Sequence, residues 1–437
     1  MSDPHPPLVS EAAPRQLRLR RANRAAVVPV PARLAELLPA DHLARRLWDL
    51  VGRLDLTAFY AVIQVVAGGP GAAAIDPQIL VTLWLYATSQ GVTSARALAD
   101  LCVAHLAYIW ICGGVAVNYH TLSDFRVAYE DELDALLTQL LAQLDQAELV
   151  DLTTQAQDGL RVRASAGAAS FRRQPTLEQA LAQAQERQTP VTTGPVLRTA
   201  AQQAAQERAA QERVARLEAA LAEMPAVQAA KDAADREKAR VSSTDPEARV
   251  MKMPDGGYRP AYNWQFSVEL SHGVITGVDV VNTGSDKAQM EPMVEQVLAR
   301  THHLPQNWLS DGGLVKLLAI EHLDAQGVTP YCPVPEPKDE TRDRYAPLPT
   351  DSPAVAQWRQ RMGTEAGKAM YQQRSLVELP NAQARSHYGV QQVRVRGRRK
   401  VRCVALWVAL THNLLIWLRH LRAVVLAASA QPARQAA

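Results

Sequence analysis

Asp158 and Asp311 each close a short apolar run and each precede glycine, in QAQDGL and NWLSDGGL. A strand holds a side chain rigidly, and a following glycine lets backbone or substrate come close. Two such acids from neighbouring strands, joined by a third from a helix, can hold two Mg²⁺ or Mn²⁺ ions about 4 Å apart. Hard oxygen donors suit those ions rather than zinc. Activation of water or a 3′-hydroxyl, and stabilisation of a phosphate in flight, would follow. Asp-Gly is also a common turn signal, and that plainer reading stands beside the first.

The elements that must position these acids are legible as a pattern. Residues 1–35 are Pro- and Arg-rich without periodicity and read as a flexible basic arm. Residues 36–145 are helical throughout, with four or five helices expected. Asp76 caps one of them, Pro77 occupies its first turn and Gly91 stops it. ARALADLCVAHLAYIWICGG reads as a single helix. A strand is expected to end at Asp158-Gly159. Residues 175–242 are rich in Ala, Gln, Glu and Arg and poor in bulky residues. Val214, Leu217, Leu221 and Met224 form a narrow seam there, so this stretch reads as a protruding helical arm, broken at Pro190, Pro195 and Pro225. NWQFSVEL and HGVITGVDVVNT are strands around a Ser271-His272-Gly273 turn, and VTPYCPVP is another. Ser285 or Asp286 is expected to cap the helix KAQMEPMVEQV. A last apolar helix covers 403–427, followed by a tail over 426–437.

Composition bounds the rest. The chain has 437 residues, 47% hydrophobic and 21% charged, enough for a packed core and two or three structural units. Its four cysteines form no CxxC pair, and His302, His303, His322, His387 and His412 are scattered, so a zinc site is not indicated. No apolar run reaches the ~18 residues a bilayer span needs. Net charge is only +3, but no Asp or Glu follows Glu378, whereas ten Lys or Arg do. Arg394, Arg396, Arg398, Arg399, Lys400 and Arg402 are crowded together, and Arg15 to Arg24 form a second basic cluster. A polyanionic partner or a solvated basic face both account for this asymmetry.

Tyr371-x2-Arg374-x3-Glu378-x6-Arg385 resembles the Y-x2-R-x3-E-x6-K/R signature of bacterial insertion-sequence transposases of the DDE type. DGLRVR at 158–163 and Ser310-Asp311-Gly312-Gly313 resemble that family's two aspartate motifs. Asp245 to Lys252, Asp255-Gly256-Gly257 and Tyr262-Asn263 resemble the segment before its second strand. Asp76-Pro77, Trp110 to Gly114 and His120 to Arg126 resemble its N-terminal domain. The resemblance runs from about residue 35 to 425. Arg385 stands for the commoner Lys, Asn381-Ala382 for Phe-Gly, and Leu160 for Thr.

The resemblance implies a mixed α/β class: a helical DNA-binding domain over 36–145 and an RNase H-like catalytic core over 146–425, interrupted by the 175–242 arm. It implies Asp158, Asp311 and Glu378 as a catalytic triad holding two Mg²⁺ or Mn²⁺ ions. Tyr371, Arg374 and Glu378 would share one helical face, with Arg374 holding phosphate or orienting Glu378. Arg385 lies past Pro380, which is expected to interrupt that helix, and is a candidate phosphate contact. With the basic residues 394–402 it would grip double-stranded DNA. The expected protein is a cytoplasmic, nucleoid-associated transposase, a homodimer on DNA, which cuts element ends and joins them to target DNA. A non-catalytic DNA-binding protein derived from a transposase is the alternative.

Overall fold

The computed structural model describes residues 18–25, 33–187, 200–337, 339 and 341–430, with the side chains of 200–201 and 425–430 excepted. The expectations for Arg15, Pro190, Pro195 and residues 431–437 lie outside the described residues.

Helices α1 (Leu43–Val51), α2 (Thr57–Ala61), α3 (Pro77–Ser89), α4 (Ala95–Ala104), α5 (Leu106–Cys112), α6 (Tyr119–Ala128) and α7 (Glu130–Gln146) form the first half. That is more helices than expected, for local reasons. His105 is extended, and its ring Nδ1 accepts the Ala107 N–H as the cap of α5, so α4 and α5 meet at 93° instead of running on. Asp76 does cap α3, accepting the Gln78 N–H, with Pro77 in the first turn. The described part of the expected flexible arm is docked. Strand β1 (Leu19–Arg20) pairs with β2 (Ala74–Ile75), and the Arg24 guanidinium lies 3.8 Å from the Trp48 ring and 4.6 Å from Trp110.

The second half is built on a mixed sheet. Its central strand is β3 (Thr154–Arg163). A small hairpin-like pair, β4 (Phe171–Arg172) and β5 (Val241–Ser242), stands at the root of helices α8 (Gln174–Glu186) and α9 (Ala200–Ala229). Then follow β6 (Arg249–Lys252), β7 (Tyr258–Glu269), β8 (Ile275–Val281), α10 (Met290–Thr301), β9 (Asn307–Ser310), α11 (Leu317–Ala325) and β10 (Thr329–Tyr331). The sheet runs β10-β9-β3-β7-β6, and β8 also pairs with β7. β7 and β8 are antiparallel, as are β3 and β7, whereas β3, β9 and β10 are parallel. This is an RNase H-like arrangement. α8 and α9 pack on each other through Leu177, Ala184, Val214, Leu217 and Met224, and α9 runs through Pro225 without breaking.

The chain ends with α12 (Pro353–Gly363), α13 (Glu365–Gln372), a 3₁₀ turn over Gln373–Val377, α14 (Glu378–Ser386) and α15 (Arg398–Ala430). Pro380 does not interrupt α14. It falls in the first turn, where a missing N–H costs no helical bond, so the helix carries Arg385 after all. Over Arg398–Val424, α15 is long and apolar enough to cross a bilayer, but 83% of its most apolar window is buried against protein. Trp407 and Trp417 are among those core residues. One continuous core joins the helices of 36–145, the sheet and α15. The Trp407 indole N–H donates to the Arg126 carbonyl of α6. On the sheet side the Asn413 amide accepts from the Ile275 N–H at 2.9 Å and donates to the Ile275 carbonyl at 2.8 Å. His412, beside it, bonds the Gly273 carbonyl, and burial pushes its pKa down to about 4.

Asn413→Leu keeps volume but strips two buried backbone groups of their partner. Each orphaned group costs about 1–3 kcal/mol. The variant is expected to be less stable by about 2–6 kcal/mol in urea unfolding of the full chain, two such groups being orphaned.

Candidate active site

The strand register brings the two aspartates together. The last β3–β9 pair is Gln157 with Ser310, so the next residues, Asp158 and Asp311, lie opposite each other where β9 stops. Neighbouring strands are about 4.8 Å apart. Asp158 is therefore not at a strand end. β3 continues to Arg163, and Asp158-Gly159 is not a turn, because β7 still pairs with it through Phe266 and Gln265. Alternation puts Asp158 on the same face as Ala156, Leu160 and Val162, which point into the main core.

On that face Asp158 meets α14 and the 3₁₀ turn. The Asn381 amide donates to Asp158 Oδ2 at 2.8 Å. Arg374 Nη1 lies 3.9 Å from Asp158 Oδ1, and its Nη2 donates to Glu378 Oε1 at 2.9 Å. The guanidinium thus bridges the first and third acids. Burial pushes the Asp158 pKa up, and Asp311 adds to this, against the pull of Arg374, the Gly159 N–H and Asn381. Arg374 keeps its proton tightly: burial opposes the charge, but Tyr371, Asp158, Glu378 and Asp311 outweigh it. Glu378 is exposed, its side chain 59% accessible. So the fold brings Asp158 and Asp311 together and ties Glu378 to them only through Arg374. Among the described residues no three His, Cys, Asp or Glu stand close enough to hold a metal ion. Tyr371, Arg374 and Glu378 follow one another along a continuous helical run, α13, the 3₁₀ turn and α14, and Arg374 bonds Glu378 along it.

One acid at this place was not foreseen. Asp286 caps no helix, since α10 starts only at Met290 with Gln289 before it. Its carboxylate instead accepts from the Asn263 and Gln265 side chains at 2.6 and 2.7 Å. It lies over Gly159 from the other face of the sheet: a Cβ on Gly159 would come within 2.5 Å of Asp286 Oδ1.

The basic cluster is less available than its sequence suggested. Arg402, only 17% accessible, pairs with Asp134 at 2.5 Å, Glu130 at 3.1 Å and Asp279 at 3.8 Å. Those acids tie it to the fold at the edge of the same cavity that Arg398 and Arg399 line. Arg399 pairs with Glu130 at 3.1 Å but remains 67% accessible. Arg398 and Arg399 line a cavity of about 510 Å³ shared with Glu130, Glu247 and Asp279. Arg394 and Arg396 reach Thr93 and the Ser165 carbonyl. Lys400 is exposed, and neither it nor Arg385 has an ion-pair partner among the described residues.

The sheet order and the opposed acids are consistent with an RNase H-like core. Residues 32–128 match a transposase domain (DUF772), and residues 233–414 match a transposase DDE domain. The chain is an insertion-sequence transposase of the DDE type. DNA is the partner such proteins act on. The DDE match includes Asp311 and Glu378 and begins after Asp158, so the place of Asp158 rests on strand register. No curated protein and no solved structure matches the chain.

Because its pKa is raised, folded Asp158 holds its proton to higher pH than a free aspartate, whose value is 3.8. Its contribution to stability is therefore complete below that value and is lost as pH rises through the raised one. Asp158→Asn cannot ionise. In metal-free buffer its urea midpoint is expected to gain on the parent's as pH rises from about 3, below the free value, towards neutrality. A difference that stays flat or shrinks would contradict the raised value.

Proposed function

We propose that this transposase cleaves at the ends of its element and transfers the strands to target DNA by two-metal phosphoryl transfer, with Asp158, Asp311 and Glu378 as the catalytic acids. The observation that carries this reading is the pairing of Asp158 with Asp311 beside Arg374 and Glu378. Tyr371, Arg374, Glu378 and Arg385 would place it in the Y-x2-R-x3-E-x6-K/R subgroup.

The residues fit a divalent cation. The donors are carboxylate oxygens throughout, which suits Mg²⁺ or Mn²⁺. The charge on Asp158 is disfavoured by burial and by Asp311, so the pair gains from a nearby cation, a role the Arg374 guanidinium partly fills. Asp158 and Asp311 would hold the metal, with Glu378 as third ligand. When bound, it would supply an activated oxygen nucleophile and neutralise charge on the phosphate.

The protein's own groups do the rest. Asn381 orients Asp158 through Oδ2 and leaves Oδ1 facing Arg374. Arg374 steadies Glu378 and offers its remaining N–H groups to a phosphate oxygen. Arg385, without an ion-pair partner among the described residues and about two turns beyond Glu378 on α14, would hold the DNA backbone next to the cut. Arg394, Arg396, Arg398, Arg399 and Lys400 would extend that grip. The helices of 36–145 would recognise the element ends, the α8–α9 arm would mediate assembly, and the protein would act as a dimer on DNA in the cytoplasm. These helices share a core with the sheet, so the footprint that tests end recognition belongs on the full chain.

Asp158→Asn, Asp311→Asn and Glu378→Gln are each expected to lower cleavage of inverted-repeat duplex by more than the ~100-fold typical of losing an outer-shell partner, with binding nearly intact. Wild-type cutting by any one of them removes that residue from the triad.

Neutralising Arg398, Arg399 and Lys400 together is expected to weaken binding to specific and random duplex alike, because groups that touch only phosphate carry no sequence information. The log–log salt slope should flatten by about 0.9 for each phosphate that the variant no longer neutralises. An unchanged slope and affinity would leave the cluster as a solvated face.

A further inference from the structure

Asp286 is held in a way that its neighbours do not explain. Its Oδ1 is fixed by two side-chain amides, those of Asn263 and Gln265, both fully buried on β7. Gln265 is itself held by Gln157 of β3 at 3.0 Å. A buried amide network of this kind sets a carboxylate's direction rather than its charge. The other oxygen, Oδ2, has no hydrogen bond among the described residues. The nearest cation is Arg161, whose Nη2 is 3.8 Å away. That guanidinium is already spent on the Lys252 and Gly284 carbonyls, at 2.9 and 3.0 Å.

The free oxygen points to the catalytic acids. The position a side chain would take on Gly313 is 3.7 Å from Asp286 Oδ2 and 3.1 Å from Asp311 Oδ1. The two carboxylates therefore share the space that this glycine leaves empty. On the neighbouring strand the Cβ position of Gly159, the residue after Asp158, is 2.5 Å from Asp286 Oδ1 and 3.1 Å from Asn263 Oδ1. Asn263 is fully buried, and its Oδ1 has no hydrogen-bond partner. An orphaned buried oxygen beside the Asp286 carboxylate is a further hard donor that a positive charge would satisfy. Glycine at both 159 and 313 is what permits the approach.

We propose that Asp286 is a further ligand of the divalent cation held by Asp311, giving it Oδ2 from the opposite side of the strand ends. This rests on the metal-binding role assigned above to Asp158 and Asp311. It would add a carboxylate to Asp311 from the side of the strand ends away from Glu378, which Arg374 holds. Asp286 is then a site residue and not a loop acid, and the Asn263–Gln265 pair aims it.

The test measures Mn²⁺ binding to the full chain without DNA, from the signal of free Mn²⁺ in electron paramagnetic resonance. Asp286→Asn keeps an oxygen for the two amides and removes only the charge. It is expected to weaken Mn²⁺ at least tenfold, comparably to Asp311→Asn. Binding within twofold of wild type for Asp286→Asn, with Asp158→Asn and Asp311→Asn both impaired, overturns the proposal and leaves the catalytic reading standing. Wild-type binding in all three overturns both. A second measurement needs no variant. Fe²⁺ placed in the wild-type site, with ascorbate and peroxide, cuts backbone near the ion. Cuts beside 158, 286 and 311 are expected, and cuts at 158 and 311 with none beside 286 overturn the proposal.

Discussion

Two carboxylates on adjacent parallel strands repel, and the site is organised around that repulsion. Asp158 and Asp311 face each other because β3 continues where β9 stops. Burial makes the charge on Asp158 costly, and Asp311 makes it costlier. Only a fold that fixes both strands from outside can hold such a pair. Here the partial remedy is Arg374, set between Asp158 and Glu378, with Asn381 bonding the remaining Asp158 oxygen. An arrangement that stores like charge and lends it a replaceable cation is destabilising for the fold and useful for a reaction at phosphate.

The strands are fixed largely by α15. Between Val401 and Leu418 this helix is largely apolar because it is packed in protein, with α7, α3 and α6 against it on one flank and β8 on the other. Thr411, His412 and Asn413 interrupt its apolar run at the contact with the hairpin, and each finds a partner: the Trp407 carbonyl, the Gly273 carbonyl and the Ile275 backbone. Asn413 in particular clamps the start of β8. The helical half and the sheet are thereby one cooperative body. The ion network of Arg300, Asp134, Arg402 and Glu130 closes the same junction with charge.

What could be read in the sequence follows from how local each feature is. Asp76-Pro77 caps a helix through its own next residues, and the β-rich runs of β7 and β8 are separated by a local turn, so both were legible. The aspartates were found by type and by their glycines, although Asp158 proved to lie within a strand, because its continuation depends on pairing with Trp264 and Gln265, far along the chain. Asp286 was missed for the same reason. Ser-Asp ahead of an apolar helix carries a local capping signal, but the amides that capture it come from β7, out of sight of any short window. Arg402 shows the converse. A run of basic residues states charge but not which acids fold against it, and Glu130, Asp134 and Asp279 are distant in sequence.

The central claim is that the opposed aspartates bind metal in place of the guanidinium that now faces them. A crystal of the full chain soaked in Mn²⁺ and measured at the manganese edge tests it directly. The account predicts an anomalous peak between Asp158 and Asp311, with Arg374 withdrawn from Asp158. A saturated soak with no peak there, or a peak elsewhere with the Arg374–Asp158 pair intact, would contradict it.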